Sequence, residues 1–365
     1  MMNLGVYIHI PFCIKKCNYC DFASFPLNDH SEYFKMLKKE ILMYSDILKT
    51  KKIDTVFIGG GTPTVADYKY IGEILSLINL DKECEVTIEA NPKTLTKEKL
   101  RAYKDYGINR ISIGMQSAND NELKILGRIH NHYDFLKSYE IVTDCGFSNI
   151  NVDTMFGIPY QTFDSFSYTM DEVKKLNPAH ISSYSLIIEE NTPFFTMDLS
   201  YPDEDVERRM FESLDEILSG YNRYEISNFS KPGYECKHNL KYWSMEDYLG
   251  FGLGAHSFFE NKRWSNHSDL DSYILSLKMA KKPIFEENKE DNKELYKDYI
   301  ITGLRKIDGI KTDDLKDRYG IDLIKEKDKL IKEYIDSGYM KFNNNTLSFT
   351  KKGISVSNHI LSNLI

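Results

Sequence analysis

The chain has 365 residues and a formal net charge of -8, from 47 lysines and arginines against 55 aspartates and glutamates. This balance argues against a protein whose main task is to bind nucleic acid, and no run approaches the roughly 20 apolar residues of a membrane span. The N-terminus also lacks the pattern of a signal peptide. Six cysteines, three of them clustered, fit a reducing compartment, so we expect a cytoplasmic protein.

Short β-branched runs alternate with segments of helical period from Leu4 to about Glu190. The predicted strands lie near Val6–Ile10, Thr55–Ile58, Glu85–Glu89, Arg110–Ile113, Asn149–Thr154 and Ile181–Ile188. Strand and helix in regular alternation predict a parallel sheet with right-handed crossovers, and hence an α/β fold built as a partial (β/α)6 barrel. Functional residues in such folds lie at the carboxyl ends of the strands.

The pattern changes beyond residue 200. An acidic amphipathic helix is predicted from Asp203 to about Ser219, and an aromatic, glycine-rich region follows from Tyr221 to Trp264. We expect an α+β extension over the barrel mouth, and we predict that the charged stretch Lys281–Asn292 is a linker. Three further helices are predicted near Glu294–Arg305, Thr312–Tyr319 and Leu323–Asp336, before a hairpin within Tyr339–Phe349. The predicted domains are therefore 1–200, 201–285 and a small winged-helix-like unit, 286–365.

Three cysteines with C-x3-C-x2-C spacing, Cys13, Cys17 and Cys20, follow the first predicted strand directly. No fourth cysteine or histidine comes after them, whereas structural zinc prefers four protein ligands. A four-iron cluster held by three cysteines leaves one iron able to bind another molecule. The spacing therefore favours an iron–sulfur site over chance clustering of structural thiols, with Tyr19 and Phe22 beside it.

Other polar motifs follow the next strands. The run Gly59–Thr64, GGGTPT, lets a ligand approach the backbone closely, and it lacks the Gly-Lys-Ser/Thr ending of a phosphate-binding loop. Single polar residues follow the same pattern: Glu89 ends one strand, Gln116 follows another, Asp153 lies late in a third, and Arg128 and His130 lie in a loop. Each alone is more often structural. Together, a carboxylate for an ammonium, an arginine for a carboxylate and an aspartate for ribose hydroxyls suit an amino-acid nucleoside.

In combination these motifs carry a family resemblance over nearly the whole chain. They are Tyr7-x-His-Ile-Pro-Phe-Cys13 with its cysteine spacing, GGGTPT, Glu89-Ala-Asn-Pro, Gly114-Met-Gln-Ser and Asp153-x-x-x-Gly-x-Pro. The set resembles the radical S-adenosylmethionine (SAM) superfamily, in its oxygen-independent coproporphyrinogen oxidase branch. The resemblance implies a [4Fe-4S] cluster on Cys13, Cys17 and Cys20, with SAM chelating the fourth iron. The positions that match SAM contacts are Tyr7, Tyr19, Gly60, Gly61, Thr62, Glu89, Gln116, Arg128, Asp153 and Ile187.

The chain departs from the oxidase pattern in two places. Phe22 stands where the oxidases carry another cysteine, and the first strand begins almost at Met1, without the long N-terminal arm of the oxidases. The segment Cys236–Trp243 instead resembles the His-Asn-x-x-Tyr-Trp motif of the haem chaperones of this branch. This likeness implies haem contacts from His238, Asn239 and Tyr242.

Two further groups near this motif leave alternatives open. A hydrogen-bonded structural histidine beside an aromatic cluster is the other interpretation of His238, and Cys236 is an alternative thiolate ligand. The run Gly252–Ser257, which includes His256, is expected to be a backbone turn near the cofactor rather than a source of a metal ligand. Cys84 and Cys145 are expected to be packing residues.

The resemblance therefore implies a haem chaperone that binds a [4Fe-4S] cluster, SAM and haem, and passes haem to acceptor apo-proteins. Respiratory enzymes, contacted at a membrane, and a second copy of the chain are further partners that fit this function. The alternative is a radical SAM enzyme that decarboxylates coproporphyrinogen III. The winged-helix-like unit suggests nucleic acid by analogy only, and its acidic helices favour a cover for the site or a protein contact.

Overall fold

A computed structural model describes residues 3–365 of the chain. The strands are β1 (Asn3–Ile10), β2 (Lys52–Gly60), β3 (Leu80–Ala90), β4 (Arg110–Gln116), β5 (Asn149–Phe156), β6 (His180–Ser185), β7 (Asn222–Arg223), β8 (Asn228–Ser230), β9 (Tyr248–Phe251), β10 (His256–Phe259), β11 (Lys262–Asn266), β12 (Ile284–Lys289), β13 (Ile310–Lys311), β14 (Met340–Asn343) and β15 (Thr346–Phe349).

Helices connect these strands and cover the sheet. They are α1 (Ser31–Leu42), α2 (Ser45–Thr50), α3 (Tyr68–Leu75), α4 (Lys97–Asp105), α5 (Asp120–Ile125), α6 (His132–Asp144), α7 (Phe163–Leu176), α8 (Pro193–Thr196), α9 (Glu204–Ile217), α10 (Lys237–Trp243), α11 (Leu270–Lys278), α12 (Asn292–Gly303), α13 (Thr312–Tyr319), α14 (Leu323–Glu326), α15 (Asp328–Asp336), α16 (Lys351–Ile354) and α17 (Ser357–Leu364). Among residues 3–365, no helix is long and apolar enough to cross a membrane.

Strands β1 to β6 pair in parallel and in chain order, which confirms the predicted six-unit α/β arrangement. The side chains of β1 show the reason, since Leu4, Val6, Ile8 and Ile10 lie on one face of the strand and are all fully buried. Over the described residues this sheet has 12 strands. Strands β9 to β12 extend it beyond β1, and strands β8 and β7 extend it beyond β6. The carboxyl ends of β1 to β6 therefore share one rim.

The prediction of a linker over Lys281–Asn292 is wrong. Residues Ile284–Lys289 form β12, which pairs antiparallel with β11 at the edge of the sheet. Charged side chains are common on edge strands because they discourage pairing with other chains, so the charge pattern was misleading. The prediction that residues 201–285 cover the barrel mouth stays a prediction; their strands continue the sheet at both edges.

The C-terminal part has an antiparallel sheet in the order β13, β15, β14 and its own apolar cluster, including Leu315 and Leu347. Its hairpin turns at Asn344 and Asn345, whose φ angles of 49° and 57° suit the asparagine-rich turn expected from the sequence. The predicted helix over Leu323–Asp336 is divided into α14 and α15.

Helix α6, which begins close to the rim, shows how local sequence sets a helix start. The Asn131 side chain accepts a hydrogen bond from the backbone N–H of Asp134 at 2.9 Å, and the Asp134 carboxylate accepts one from the N–H of Asn131 at 3.1 Å. This reciprocal capping box satisfies two backbone donors that no backbone carbonyl of the helix can pair.

Replacing Asn131 by Ala is expected to lower the free energy of unfolding by about 1 kcal/mol, because the side-chain acceptor of the cap is lost. Urea denaturation of the full chain measures this. Asn358→Ala, at an exposed position in α17, is the control and should leave the stability unchanged or slightly higher. Equal midpoints for the wild type and Asn131→Ala would contradict the role of the cap.

Candidate functional site

A cavity of about 450 Å³ opens at the carboxyl rim of the sheet, and we call it the rim cavity. Residues at or just beyond the ends of all of β1 to β6 line it. The predicted site residues that it brings together are Cys13, Cys17, Cys20, Tyr19, Gly60, Gly61, Thr62, Glu89, Gln116, Arg128 and Asp153. Parallel pairing thus collects residues that are spread over 140 positions of sequence.

The three cysteines are free thiols on the wall of this cavity. The Sγ of Cys13 lies 3.6 Å from Oγ1 of Thr62, and the guanidinium of Arg128 donates to the Sγ of Cys17 at 3.6 Å. Burial raises the pKa of Cys13 and of Cys20, so a metal must displace protons to bind these thiols.

The three thiols indicate which kind of metal group the cavity could hold. Within residues 3–365, no group of three or more His, Cys, Asp or Glu side chains is arranged to hold a single metal ion. A multi-iron cluster distributes its thiolates over separate irons, so three free thiols on one wall of the cavity fit such a cluster.

The glycine loop after β2 packs directly against the cysteine loop. A Cβ on Gly61 would lie 2.7 Å from the carbonyl oxygen of Phe12 and 3.0 Å from the Sγ of Cys13. Gly60 has a φ of 111°, in the region that favours glycine, and its N–H donates to a carboxylate oxygen of Glu89 at 3.1 Å. Glycine at both positions allows the two loops to meet.

Asn91 joins three strand ends, although it was not among the residues predicted for the site. Its amide donates to Oγ1 of Thr62 at 2.7 Å, and its side-chain oxygen accepts a hydrogen bond from Arg128. Arg128 also donates to the carbonyl oxygen of Gly114 at 2.9 Å. The sequence signal was present, since Asn91 lies in the Glu-Ala-Asn-Pro motif, but only the structure shows this bridge.

Other lining residues were also missed, and some predicted ones lie elsewhere. Ser112, Met155 and Tyr184 line the rim cavity. By contrast, Ile187 is 69% exposed and lines a separate surface cavity, and Tyr7 lines a second cleft described below. The alternation of side chains along β4 could have indicated Ser112, which shares a strand face with Gly114.

The backbone at Gln116 is strained, with a φ of 68° that a side chain rarely adopts. The register of β4 against β5 shifts between Gly114 and Gln116, which marks a bulge at the rim. A Cβ on Gly114 would lie 2.8 Å from Oδ1 of Asn91 and 2.9 Å from Nε2 of Gln116. Bulges and positive φ angles are concentrated at binding and active sites, where they redirect side chains.

Two half-buried carboxyl groups, those of Glu89 and Asp153, line the cavity. Burial, with the nearby Asp153, raises the pKa of Glu89 to about 8. Burial also raises the pKa of Asp153, although Asn151 and Ser112 donate to its carboxylate at 2.7 Å and 3.0 Å. A cationic ligand placed beside them would favour their ionised forms.

The predicted haem residues lie on α10, next to the second cleft. His238 is fully buried, with Nδ1 2.9 Å from Oγ1 of Thr55 and Nε2 2.8 Å from the hydroxyl of Tyr242. Burial lowers the pKa of His238 to about 3, so its imidazole is neutral. The carboxylate of Glu85 accepts hydrogen bonds from the N–H groups of Lys237 and His238, both at 3.2 Å, at the start of this helix.

The second cleft has a volume of about 610 Å³, and we call it the aromatic cleft. It is lined by Tyr7, His9, Asp21, Phe22, Ala23, Tyr242, Trp243, Met245, Tyr248, Gly254, Ala255, His256, Phe258, Arg263 and Thr302. Of the three predicted haem residues, Tyr242 lines the aromatic cleft. The ring of His238 packs edge-on against the ring of Tyr242 and does not line the cleft. Asn239 lines neither the rim cavity nor the aromatic cleft.

Comparison with known proteins gives matches over the whole chain. Residues 7–173 match the radical SAM superfamily and residues 291–356 match the HemN C-terminal domain. A protein of Bacillus subtilis (strain 168) named heme chaperone HemW is 34% identical over 371 residues, which cover 98% of this chain and 97% of that protein. The heme chaperone HemW of Escherichia coli (strain K12) is 38% identical over 262 residues, 69% of each chain.

Among solved structures, the coproporphyrinogen III oxidase (HemN) from Escherichia coli, described as a radical SAM enzyme, is similar to this chain with a TM-score of 0.88. The match covers 100% of this chain and 90% of that one at 20% sequence identity. Because the identity is this low, the likeness shows a shared fold and not a shared reaction.

The raised pKa of Glu89 makes stability depend on pH. In the folded, ligand-free chain this carboxyl keeps its proton up to a pH of about 8, whereas its ordinary value is 4.5. The folded state therefore binds an extra proton between these values, and the free energy of unfolding falls as the pH rises across that window. Glu89→Gln should flatten this fall, as measured by urea denaturation of the metal-free chain between about pH 5 and about pH 9.

The exposed Glu190 provides a control, because Glu190→Gln should keep the wild-type dependence. If Glu89→Gln and the wild type lost stability in parallel as the pH rises, the assignment of a protonated, neutral Glu89 to the folded chain would be wrong.

Proposed function

The chain belongs to the heme chaperone HemW family, within the radical SAM superfamily, and we propose that it binds a [4Fe-4S] cluster and SAM in the rim cavity, binds haem, and passes haem to acceptor proteins. The observation that carries the proposal is likeness to named haem chaperones over 98% of the chain, combined with three free thiols on the wall of one cavity. The fold alone does not separate a chaperone from an oxidase, since HemN shares it.

The residues of the rim cavity fit the cluster. Cys13, Cys17 and Cys20 would hold three irons and leave one position open for a ligand from the cavity. The guanidinium of Arg128 next to Cys17 adds a positive charge beside a thiolate, which stabilises the charged form. When bound, the cluster supplies an electron for reductive chemistry on the sulfonium of SAM.

The same cavity has groups that suit the two charged ends and the ribose of SAM. We assign Glu89 to the ammonium group and Asp153 to the ribose hydroxyls, because both carboxyls are half-buried and line the cavity. The backbone of Gly60 to Thr62 can approach the ligand without side-chain hindrance. Arg128 is already bonded to Asn91 and Gly114, so we assign it chiefly to holding the loops together.

Two features support haem transfer over coproporphyrinogen oxidation. Phe22 stands at the position of the further cysteine in the oxidases and lines both the rim cavity and the aromatic cleft. The second feature is the segment Cys236–Trp243, which resembles the His-Asn-x-x-Tyr-Trp motif of the haem chaperones. Haem-accepting apo-proteins are the partners that follow, and we retain the domain division at 1–200, 201–285 and 286–365 as part of the proposal.

Cys17→Ala should abolish the iron–sulfur absorbance and most of the bound iron after anaerobic reconstitution, because two thiolates cannot replace three. Iron analysis and visible absorption measure this directly. Cys145→Ala is the matched control, since Cys145 follows α6 away from both cavities and should leave iron binding unchanged. Full iron content in Cys17→Ala would refute the assignment of this ligand.

Transfer of haem tests the function as a whole. The reconstituted chain is loaded with haem, separated from free haem and mixed with an apo-protein that requires haem, and the acceptor should gain its own haem spectrum. In a parallel anaerobic assay with coproporphyrinogen III and SAM, no protoporphyrinogen should form. Repeated turnover in the second assay, with no transfer in the first, would replace the chaperone function by the oxidase alternative.

A further inference from the structure

We propose that haem binds in the aromatic cleft with His256 as its axial ligand, and that His238 is a positioning residue behind the wall of this cleft. The inference rests on the proposed haem-binding function and extends it to a specific site. It differs from the expectation that Gly252–Ser257 is only a backbone turn, and it gives His238 a role other than iron ligation.

The size and lining of the aromatic cleft fit a flat macrocycle. Its volume of about 610 Å³ lies within the usual range for small-molecule pockets. Phe22, Tyr242, Trp243, Tyr248 and Phe258 supply its aromatic surface. Aromatic side chains contribute large apolar areas and stack against other π-systems, so a planar porphyrin is the class of ligand that this lining favours.

His256 has the position and the freedom that an axial ligand needs. It begins β10, where His256 and Phe258 are two residues apart and therefore lie on the same face of the strand. Phe258 pairs with Tyr248 on one side and with Arg263 on the other. The imidazole of His256 therefore lies on the face that forms the aromatic cleft.

His256 and His9, the two histidines that line the cleft, differ in whether their ring nitrogens are free to bind iron. His256 is exposed, and its ring makes no hydrogen bond to any of residues 3–365. His9 also lines the cleft, but its Nδ1 lies 3.0 Å from the hydroxyl of Tyr7 and its Nε2 lies 2.9 Å from the carbonyl oxygen of Ala23. Of these two imidazoles, His256 is the one that can bind iron without breaking a hydrogen bond.

His238 is held in place by contacts that iron ligation would break. Both of its ring nitrogens have partners, and the ring lies edge-on to Tyr242 with centroids 4.9 Å apart. Its backbone N–H is bonded to the buried Glu85. Because unmade buried hydrogen bonds are costly, the arrangement favours His238 as a support that orients the Tyr242 ring at the cleft wall.

The surroundings of the cleft determine how haem would lie. Phe22, 68% exposed, lines the cleft on one side and the rim cavity on the other, so haem would lie beside the cysteine loop. Arg263 is already paired with Glu290 at 2.6 Å and with Asp298 at 2.8 Å. We therefore place the haem propionates at the open, solvent side of the cleft, where they need no buried partner.

Titration of the reconstituted full chain with ferric haem tests the ligand. Visible absorption and electron paramagnetic resonance should show imidazole ligation in the wild type and its loss in His256→Ala. In typical metal sites, losing a residue that only hydrogen-bonds to a ligand weakens metal binding by about 10–100-fold. Removing the ligand itself should therefore weaken haem binding by at least about tenfold. Added imidazole should restore the spectrum of His256→Ala, because the vacated position is open to solvent.

Two further variants distinguish the roles. His238→Gln should keep imidazole ligation, with a smaller loss of affinity than His256→Ala and no rescue by imidazole. His359→Ala, at an exposed histidine outside the cleft, should behave as the wild type.

The outcomes separate this inference from the proposed function. An unchanged spectrum in His256→Ala, or loss of imidazole ligation in His238→Gln alone, would overturn the assignment and leave the chaperone function intact. A wild-type chain that binds no haem would overturn both.

Discussion

The parallel register of β1 to β6 is the constraint on which both cavities depend. Ile8 pairs with Ile58 and Ile58 with Ile88, and all three side chains are fully buried. A slip of one residue would turn a buried face towards the opposite side of the sheet, so the apolar core fixes the register strongly. With the register fixed, the loops that follow these strands meet at one rim, and the cysteine loop meets the glycine loop.

The sequence predicted those parts of the fold that depend on local pattern. Continuous apolar strands, the cysteine spacing and the asparagine-rich turn are each contained in a few neighbouring residues. Strand β12 was not predicted because its own charged sequence does not favour a strand. The segment forms a strand because it pairs with β11. Asn91 was missed as a bridge for a related reason, since its partners Thr62 and Arg128 are 29 and 37 residues away.

The segment Cys236–Trp243 shows more clearly that a local sequence pattern does not determine which distant residues a side chain contacts. The spacing of His238 and Tyr242 places both side chains on one helical face, and they do contact each other. Whether the imidazole faces a ligand or the core is decided by Thr55 and Glu85, which lie 183 and 153 residues away in sequence. A motif can therefore suggest a ligand class while leaving open which residue would bind the ligand.

Buried hydrogen bonds connect the turn before His256 to the strand that precedes the cysteine loop. The hydroxyl of Tyr33 accepts from the N–H of Leu253 at 3.1 Å and donates to the carbonyl oxygen of His9 at 2.7 Å. The carboxyl of Glu40, whose pKa is raised to about 7 by burial, accepts from the N–H of Gly252 at 2.8 Å. Both side chains belong to α1, so this helix holds the turn against the end of β1. Breaking any of these bonds would leave a buried polar group without a partner, which costs about 1–3 kcal/mol. The position of the aromatic cleft relative to the cysteine loop is therefore set by the buried core, and a ligand in the cleft would lie at a fixed place beside that loop.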